Sequence, residues 1–299
     1  MTAPVPIIQA DIFTTQPFAG NPAAAVLDAE GFDEPAMQRI AAEMLVPGTA
    51  FVFGPTAPGT DWRLRMFTPK RQVAYSGHTA LCATHALIEA GRLPGSHVTF
   101  DLPAGVLRVE VERGDGPALM WLEPPLPACR PLDHDLVELL AALGLSRAGL
   151  AGWARPAVTP DGDLLLPLPD LATLRALQPD MSRLAALRTA QQARGVCCVS
   201  RETVEPGSAT HSRFFAPHYG LPEDIVTGSV HSALAVWLLE AGALAPAGDR
   251  AAFTAEQGDG LGRPGRLRVE MAVAGGHATR VRVGGQAVTV LSGSLRRGP

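Results

Sequence analysis

Gly77-His-Thr-Ala-Leu-Cys-Ala-Thr-His-Ala-Leu-Ile-Glu-Ala-Gly91 and Gly228-Ser-Val-His-Ser-Ala-Leu-Ala-Val-Trp-Leu-Leu-Glu-Ala-Gly242 are two versions of one segment. In both, 14 positions separate the first glycine from the last, and Leu-x-Glu-Ala-Gly closes the run. Each carries Ala and Leu nearly all round, and a helix that is apolar on every face is a buried helix. The closing glycines, Gly91 and Gly242, stand where a left-handed C-terminal cap is expected.

Outward from these helices the likeness continues. Arg65-Met-Phe-Thr-Pro69 recurs as Arg213-Phe-Phe-Ala-Pro217, and Met37-Gln-Arg-Ile-Ala-Ala42 as Met181-Ser-Arg-Leu-Ala-Ala186. Downstream, residues 100–105 are echoed by 253–258, and Leu107-Arg-Val-Glu110 by Leu267-Arg-Val-Glu270. The pieces keep one order, with an offset that drifts only from 144 (181 − 37) to 160 (267 − 107). One such match is weak, but five in register are a duplication.

Each half therefore reads as strand, helix, strand, turn, buried helix and a run of strands. Alternating stretches such as 107–112 and 267–273 are half-exposed antiparallel strands. The expected class is α+β, with two pseudo-symmetric domains, each a mostly antiparallel sheet wrapped around a central buried helix. The Pro-rich stretch Glu123-Pro-Pro-Leu-Pro127 is the linker. The expected domains are 1–127 and 128–285, with a terminal strand and tail, 286–299, returning to the first.

Composition narrows the function. Of 299 residues, 46% are hydrophobic and 18% charged, a globular balance that can bury two cores. A net charge of −4 without basic runs argues against nucleic acid. The N-terminus has no basic region before its short apolar stretch, and no run reaches the roughly 18 apolar residues of a bilayer span. A cytoplasmic protein with no membrane partner is expected. Cys82, Cys129, Cys197 and Cys198 have no Cys-x-x-Cys spacing. Lys70 is the only lysine, so no other residue could form a Schiff base, and there is no Walker A ending. Gly260-Leu-Gly-Arg-Pro-Gly265 fits a dinucleotide fingerprint in spacing, but a strand rather than a helix is expected after it. His78 and His85 lack the further ligands of a metal site, and no nucleophile elbow occurs. No metal and no cofactor are expected.

What remains is the pair of turns that open the buried helices, Ser76-Gly-His-Thr79 and Thr227-Gly-Ser-Val230. A helix N-terminus offers unpaired N–H groups and partial positive charge, and glycine lets a ligand approach the backbone. If the duplication turns both starts toward one cleft, the result is a carboxylate-sized anion site. The plainer alternative is that Ser76 and Thr227 only cap their helices. His78 at the helix start would be a neutral imidazole, available for general acid–base work. Asp224 lies just before the second helix, either tuning its end or acting in the chemistry.

These residues resemble the phenazine-biosynthesis PhzF-like family, relatives of diaminopimelate epimerase. The resemblance runs through Asp11-Ile-Phe-Thr14, Phe18-Ala-Gly-Asn-Pro22, Ile40-Ala-Ala-Glu43, Thr49-Ala-Phe-Val52, Phe67-Thr-Pro69 and Gly77-His78. It continues through Glu223-Asp224, Val226-Thr-Gly-Ser229, Gln257-Gly258 and Gly262-Arg-Pro-Gly265. It implies cofactor-free proton transfer, with Asp224 and His78 as acid–base groups. Gly77, Thr227, Gly228 and Ser229 would bind the carboxylate of a small substrate, with Asn21 close by, in a homodimer. The family's usual Ser-Glu-Thr aligns with Pro47-Gly48-Thr49, so its general base is replaced by Gly48, read as a turn glycine at positive φ. Glu43 is too far along its helix to substitute. With Ser76 and Thr227 at the helix starts, two-thiol racemisation is excluded. Three functions follow: an isomerase with an altered site, a hydrolytic or C–C-cleaving enzyme in the same pocket, or a silenced small-acid-binding protein.

Overall fold

In a computed structural model of the chain, residues 4–132, 136–191 and 194–296 are described, apart from the side chains of 188–191 and 219. The chain divides into two compact units, Met1–Glu123 with Gly284–Pro299, and Pro124–Val283.

In the first unit, strand β1 (Val5–Ile12) pairs antiparallel with β2 (Asn21–Val26) and, on its other side, with the C-terminal strand Ala287–Leu295. Helix α1 (Glu34–Met44) follows. Its N-cap Asp33 accepts a hydrogen bond from Ala36 N at 2.8 Å, and Pro35 occupies the first turn, where its missing N–H costs nothing. Its buried face, Met37 and Ala41, joins Val26, Phe51, Phe53 and Phe67 in a core cluster. Strand β3 (Gly48–Phe53) pairs in parallel with β2 and antiparallel with β4 (Trp62–Phe67). After the short β5 (Gln72–Val73) comes the buried helix α2 (Gly77–Glu89), then β6 (His97–Leu102), β7 (Gly105–Glu112) and β8 (Leu119–Leu122). Helix α2 packs on β1, β2, β3 and β8, so the sheet wraps it.

The second unit repeats this plan around helix α6 (Gly228–Glu240). Asp163–Pro167 pairs in parallel with Gly195–Ser200, as β2 does with β3. Gly195–Ser200 pairs antiparallel with Ser208–Ala216, as β3 does with β4. Ser208–Ala216 runs parallel to Arg250–Gln257, and that strand antiparallel to Gly265–Ala274, matching β4, β6 and β7. The duplication in the sequence is thus a duplication of topology. Three further helices, α3 (Val137–Ala142), α4 (Leu171–Ala176) and α5 (Met181–Gln191), belong to this unit. Only α5 has a counterpart in the first unit, α1. Leu139, Leu140, Leu174 and Leu184 from these helices meet Leu164, Leu166 and Phe215 of the sheet.

Residues Val230 to Leu239 of α6 are all buried, and α2 buries Thr79 to Thr84. Complete burial of a Leu or Val side chain stabilises by about 1.5–3 kcal/mol, so these helices anchor their units. Both end as their glycines predict. Gly91 has φ +67° and Gly242 φ +68°. Arg92 N donates to Leu87 O (2.9 Å) and Ala243 N to Leu238 O (2.9 Å), the bond pattern of a Schellman cap. The dinucleotide-like stretch leads into the strand Gly265–Ala274. Among the described residues, no helix is long and apolar enough to cross a membrane.

The expected positive φ at Gly48 is not found. The left-handed residue lies three positions earlier, at Leu45 (φ 54°), which closes α1. Gly48 is already in extended backbone, paired with Ala23 as the first residue of β3. Its lack of a side chain answers a packing demand instead.

Candidate active site

In the first unit, β3 starts against the first turn of α2. A Cβ on Gly48 would lie 1.9 Å from Thr79 Oγ1 and 3.2 Å from His78 Nε2. Ser76 is the N-cap by position, yet its hydroxyl caps no backbone N–H. It lies 2.8 Å from Thr79 Oγ1 and 3.3 Å from His78 Nδ1, while Thr79 Oγ1 is 3.5 Å from His78 Nε2. The half-buried His78 ring is thus bracketed by two hydroxyls. Burial pushes its imidazole pKa down to about 4, so it is neutral at pH 7. Gly77 lies beside the Tyr75 hydroxyl and Leu122, 3.4 and 3.0 Å from where its Cβ would be. Asn21, fully buried, starts β2, two residues before the Ala23 that pairs with Gly48.

In the second unit, Thr227 is the N-cap of α6 and also makes no capping bond. Its hydroxyl donates to Asp224 Oδ2 at 2.6 Å. Gln257, fully buried, latches this turn: its Nε2 donates to Asp224 O (2.8 Å) and Thr227 Oγ1 (3.2 Å), and its Oε1 accepts from Thr227 N (3.2 Å). With both amide hydrogens and the oxygen used, the orientation of Gln257 is fixed. His231, also fully buried, donates Nδ1–H to Thr227 O at 2.8 Å, and Ser212 Oγ lies 3.4 Å from its Nε2. Burial lowers the His231 imidazole to about 4, which keeps it neutral, and the Thr227 carbonyl fixes the tautomer with its proton on Nδ1. Gly228 is half-buried and Ser229 exposed. The Ser229 hydroxyl accepts from Arg194 Nη2 at 3.1 Å. Arg194 in turn grips buried Asp163 through Nε (2.8 Å) and Nη2. Burial raises the Asp163 carboxyl pKa against the pull of Arg194.

Seven residues singled out from the sequence therefore fall into two groups: Asn21, Gly77 and His78 in the first unit, and Asp224, Thr227, Gly228 and Ser229 in the second. Thr79, His231, Arg194 and Asp163 were given no role by the sequence, Ser76 was read only as a cap, and Gln257 appeared only as part of a motif. The duplication held one signal: Arg194-Gly195 stands 147 positions after Pro47-Gly48. Capping by Ser76 and Thr227 is not what their hydroxyls do. Cys82 lies inside α2, fully buried, and burial pushes its thiol pKa up, so it is no thiolate base. Among the described residues, no group of three or more His, Cys, Asp or Glu could hold a metal ion.

Two duplicated sheet-wrapped helices, each opening on a polar Gly turn, define the class, the diaminopimelate epimerase-like α+β fold. The chain belongs to the PhzC-PhzF family of phenazine biosynthesis-like proteins, whose family model matches residues 10–293. It is 36% identical over 286 residues to an uncharacterized isomerase of Deinococcus radiodurans, covering 94% of this chain and 91% of that one. It is 32% identical over 289 residues to trans-2,3-dihydro-3-hydroxyanthranilate isomerase of Pseudomonas chlororaphis, covering 95% and 97%. The crystal structure of a Bacillus anthracis PhzF-family protein superposes with a TM-score of 0.88 at 24% identity, over 99% of this chain and 100% of that chain.

Proposed function

We propose that this protein is an isomerase that moves a proton on a small carboxylate-bearing metabolite, with His78 and Asp224 as its acid–base groups. One group removes a proton from carbon, the double bond shifts, and a proton returns at another carbon, so no redox partner is needed. Asn21 and Gly77, and Thr227, Gly228 and Ser229, are the substrate-binding residues of this reading. Membership of a family whose relatives are named isomerases supports the reaction class. The observation that carries the residue assignment is the use of the helix-start hydroxyls. The Ser76 hydroxyl is engaged with Thr79 and lies beside the His78 ring, and the Thr227 hydroxyl is spent on Asp224, rather than on capping, which supports an imidazole and a carboxylate as the proton-transfer groups.

Gly48 alters the substrate range of this site. Where the family resemblance places a carboxylate base, this chain has no side chain and the Thr79 hydroxyl occupies the space. Proton transfer here therefore rests on a neutral imidazole flanked by hydroxyls, which is suited to a carbon acid other than trans-2,3-dihydro-3-hydroxyanthranilate. The test is deuterium uptake from D2O by a panel of small carboxylic and amino acids that includes that compound, followed by mass spectrometry. Uptake into at least one acid, abolished by Asp224→Asn and by His78→Gln, is expected. No uptake from any acid, or uptake indifferent to both substitutions, overturns the reading.

A further inference from the structure

In each unit, the strand that starts beside the buried helix addresses the residue after the helix's first glycine. In the first unit that strand begins with bare Gly48, directed at His78 and Thr79. In the second, the corresponding strand begins at Gly195, and the residue before it delivers a guanidinium to Ser229. His78 and Ser229 occupy equivalent places, each immediately after Gly77 or Gly228. The duplicated fold has thus placed a cation at the position that holds Pro47 in the first unit.

We propose that Arg194 is a positioning residue that turns the Ser229 hydroxyl into a directed donor for the substrate carboxylate. The proposal rests on the reading of Thr227-Gly228-Ser229 as the carboxylate contact. A guanidinium has N–H donors and no acceptor, so at 3.1 Å Ser229 Oγ can only accept from Arg194. The single Ser229 hydrogen must then point elsewhere, and Ser229 is exposed at the first turn of α6. A carboxylate arriving at the helix start meets that hydrogen already aimed outward, beside the unpaired backbone N–H groups.

Arg194 is built to hold this position. Its own N–H donates to Gly162 O at 2.7 Å, and Nε and Nη2 grip Asp163, whose side chain is only 1% exposed. Asp161 Oδ2 stands 3.7 Å from Nη1. With one carboxylate bonded to it and another close by, the guanidinium adds little net positive charge to the helix start. Its effect on a ligand is therefore directional and passes through Ser229.

The experiment follows the backbone amide resonances of Ser229 and Val230 during titration with sodium acetate against sodium chloride at constant ionic strength, near pH 7. A saturable shift is expected in the unaltered protein. Arg194→Gln and Ser229→Ala are each expected to weaken acetate by about tenfold, the scale of one charge-assisted hydrogen bond. Because Arg194 acts through Ser229, the double variant is expected to bind no more weakly than either single one. Arg194→Gln strands a buried carboxylate, so Asp163→Asn with Arg194→Gln is measured alongside and is expected to show the same loss. An unshifted amide in the unaltered protein overturns the carboxylate reading of this helix start. Loss in Ser229→Ala but not in the Arg194 variants leaves that reading standing and overturns the positioning role. Additive losses also overturn it, because Arg194 would then act independently of Ser229.

Discussion

Gly48 and Thr79 share one volume: a Cβ on the glycine would fall 1.9 Å from the threonine Oγ1, well inside van der Waals contact. Thr79 is fully buried, and its hydroxyl is held at 2.8 Å by Ser76. Any side chain at position 48 must displace this pair. Glycine here is a packing requirement in extended backbone, so its conformational freedom is not what the site uses.

Gly48→Glu is accordingly expected to destabilise the protein by about 1–3 kcal/mol, the cost of overpacking a filled core site. It is expected to gain no activity on trans-2,3-dihydro-3-hydroxyanthranilate. Combining it with Thr79→Gly opens the space and should recover most of the lost stability. Urea midpoints of the two variants decide this, and a fully stable Gly48→Glu single variant would contradict the packing account.

The pH dependence of proton transfer should carry the mark of a neutral His78. With its pKa at about 4, the imidazole stays a base throughout neutral pH and becomes protonated only as pH falls toward 4. The deuterium-exchange rate assigned to His78 should therefore show no inflection near the ordinary histidine value of about 6.5. His78→Gln should lower the rate by about 10²–10⁴-fold, the usual worth of a positioned acid–base group. A clear inflection near pH 6.5 that His78→Gln removes would show the ring to be solvated and ordinary.

Much of the fold is legible in the sequence because it is written in local patterns. The all-round apolar runs give α2 and α6, their glycines give the caps at φ +67° and +68°, and the matched segments give the repeated strand pairings. Helices α3 and α4 are less legible because they have no counterpart in the first half to be matched against. The site is legible where a residue adjoins a helix glycine, as His78, Thr227 and Ser229 do. Arg194 and Gln257 reach the second helix start from 30 or more positions away, Asp163 holds Arg194 from 31 away, and only tertiary structure brings them together. Ser76 and Thr227 have the composition of caps, but Thr79 and Asp224 compete for their hydroxyls and win. Pro47-Gly48 has the look of a turn, but the parallel pairing with Ala23 claims Gly48 for the strand.

The Thr227 hydroxyl is bonded to the Asp224 carboxylate and to Gln257. Thr227→Val keeps the shape and removes the 2.6 Å bond to Asp224 along with the acceptor for Gln257 Nε2. The variant should remain folded, losing about 1–3 kcal/mol for the polar groups left unpaired. Its proton-transfer rate should fall by about ten- to a hundredfold, because the carboxylate loses a bond that fixes its orientation. Thr227→Ser, which keeps the hydroxyl, should retain most of the rate. Equal rates in the Val and Ser variants would deny the hydroxyl its orienting role.

The buried ion cluster of the second unit sets the acid limit of stability. Glu256, fully buried, accepts from His211 Nδ1, Val204 N and Glu205 N, each at 2.8 Å. Burial alone would raise its carboxyl pKa, but these bonds outweigh it and hold the group at about 2. In the unfolded chain this carboxyl titrates at its ordinary value, about 4.5. Between these values the unfolded state binds more protons than the folded one, so stability must fall as pH falls. The contribution is complete above about pH 4.5 and is lost progressively toward pH 2. Arg266, bonded to Asp259 at 3.0 Å and to Glu205 at 2.8 Å, lies 3.9 Å from Glu256 Oε1 and adds a cation beside the cluster. Glu256→Gln is expected to cost about 1.5–3 kcal/mol at pH 7, the range for a hydrogen bond made to a charged group. Since the unaltered protein carries a protonated Glu256 below pH 2, the two stability curves should converge as pH falls from 4.5 toward 2. Urea unfolding at pH 7, 4.5 and 2.5 measures the gap, and a gap that stays constant over that range would place the acid sensitivity on other carboxylates.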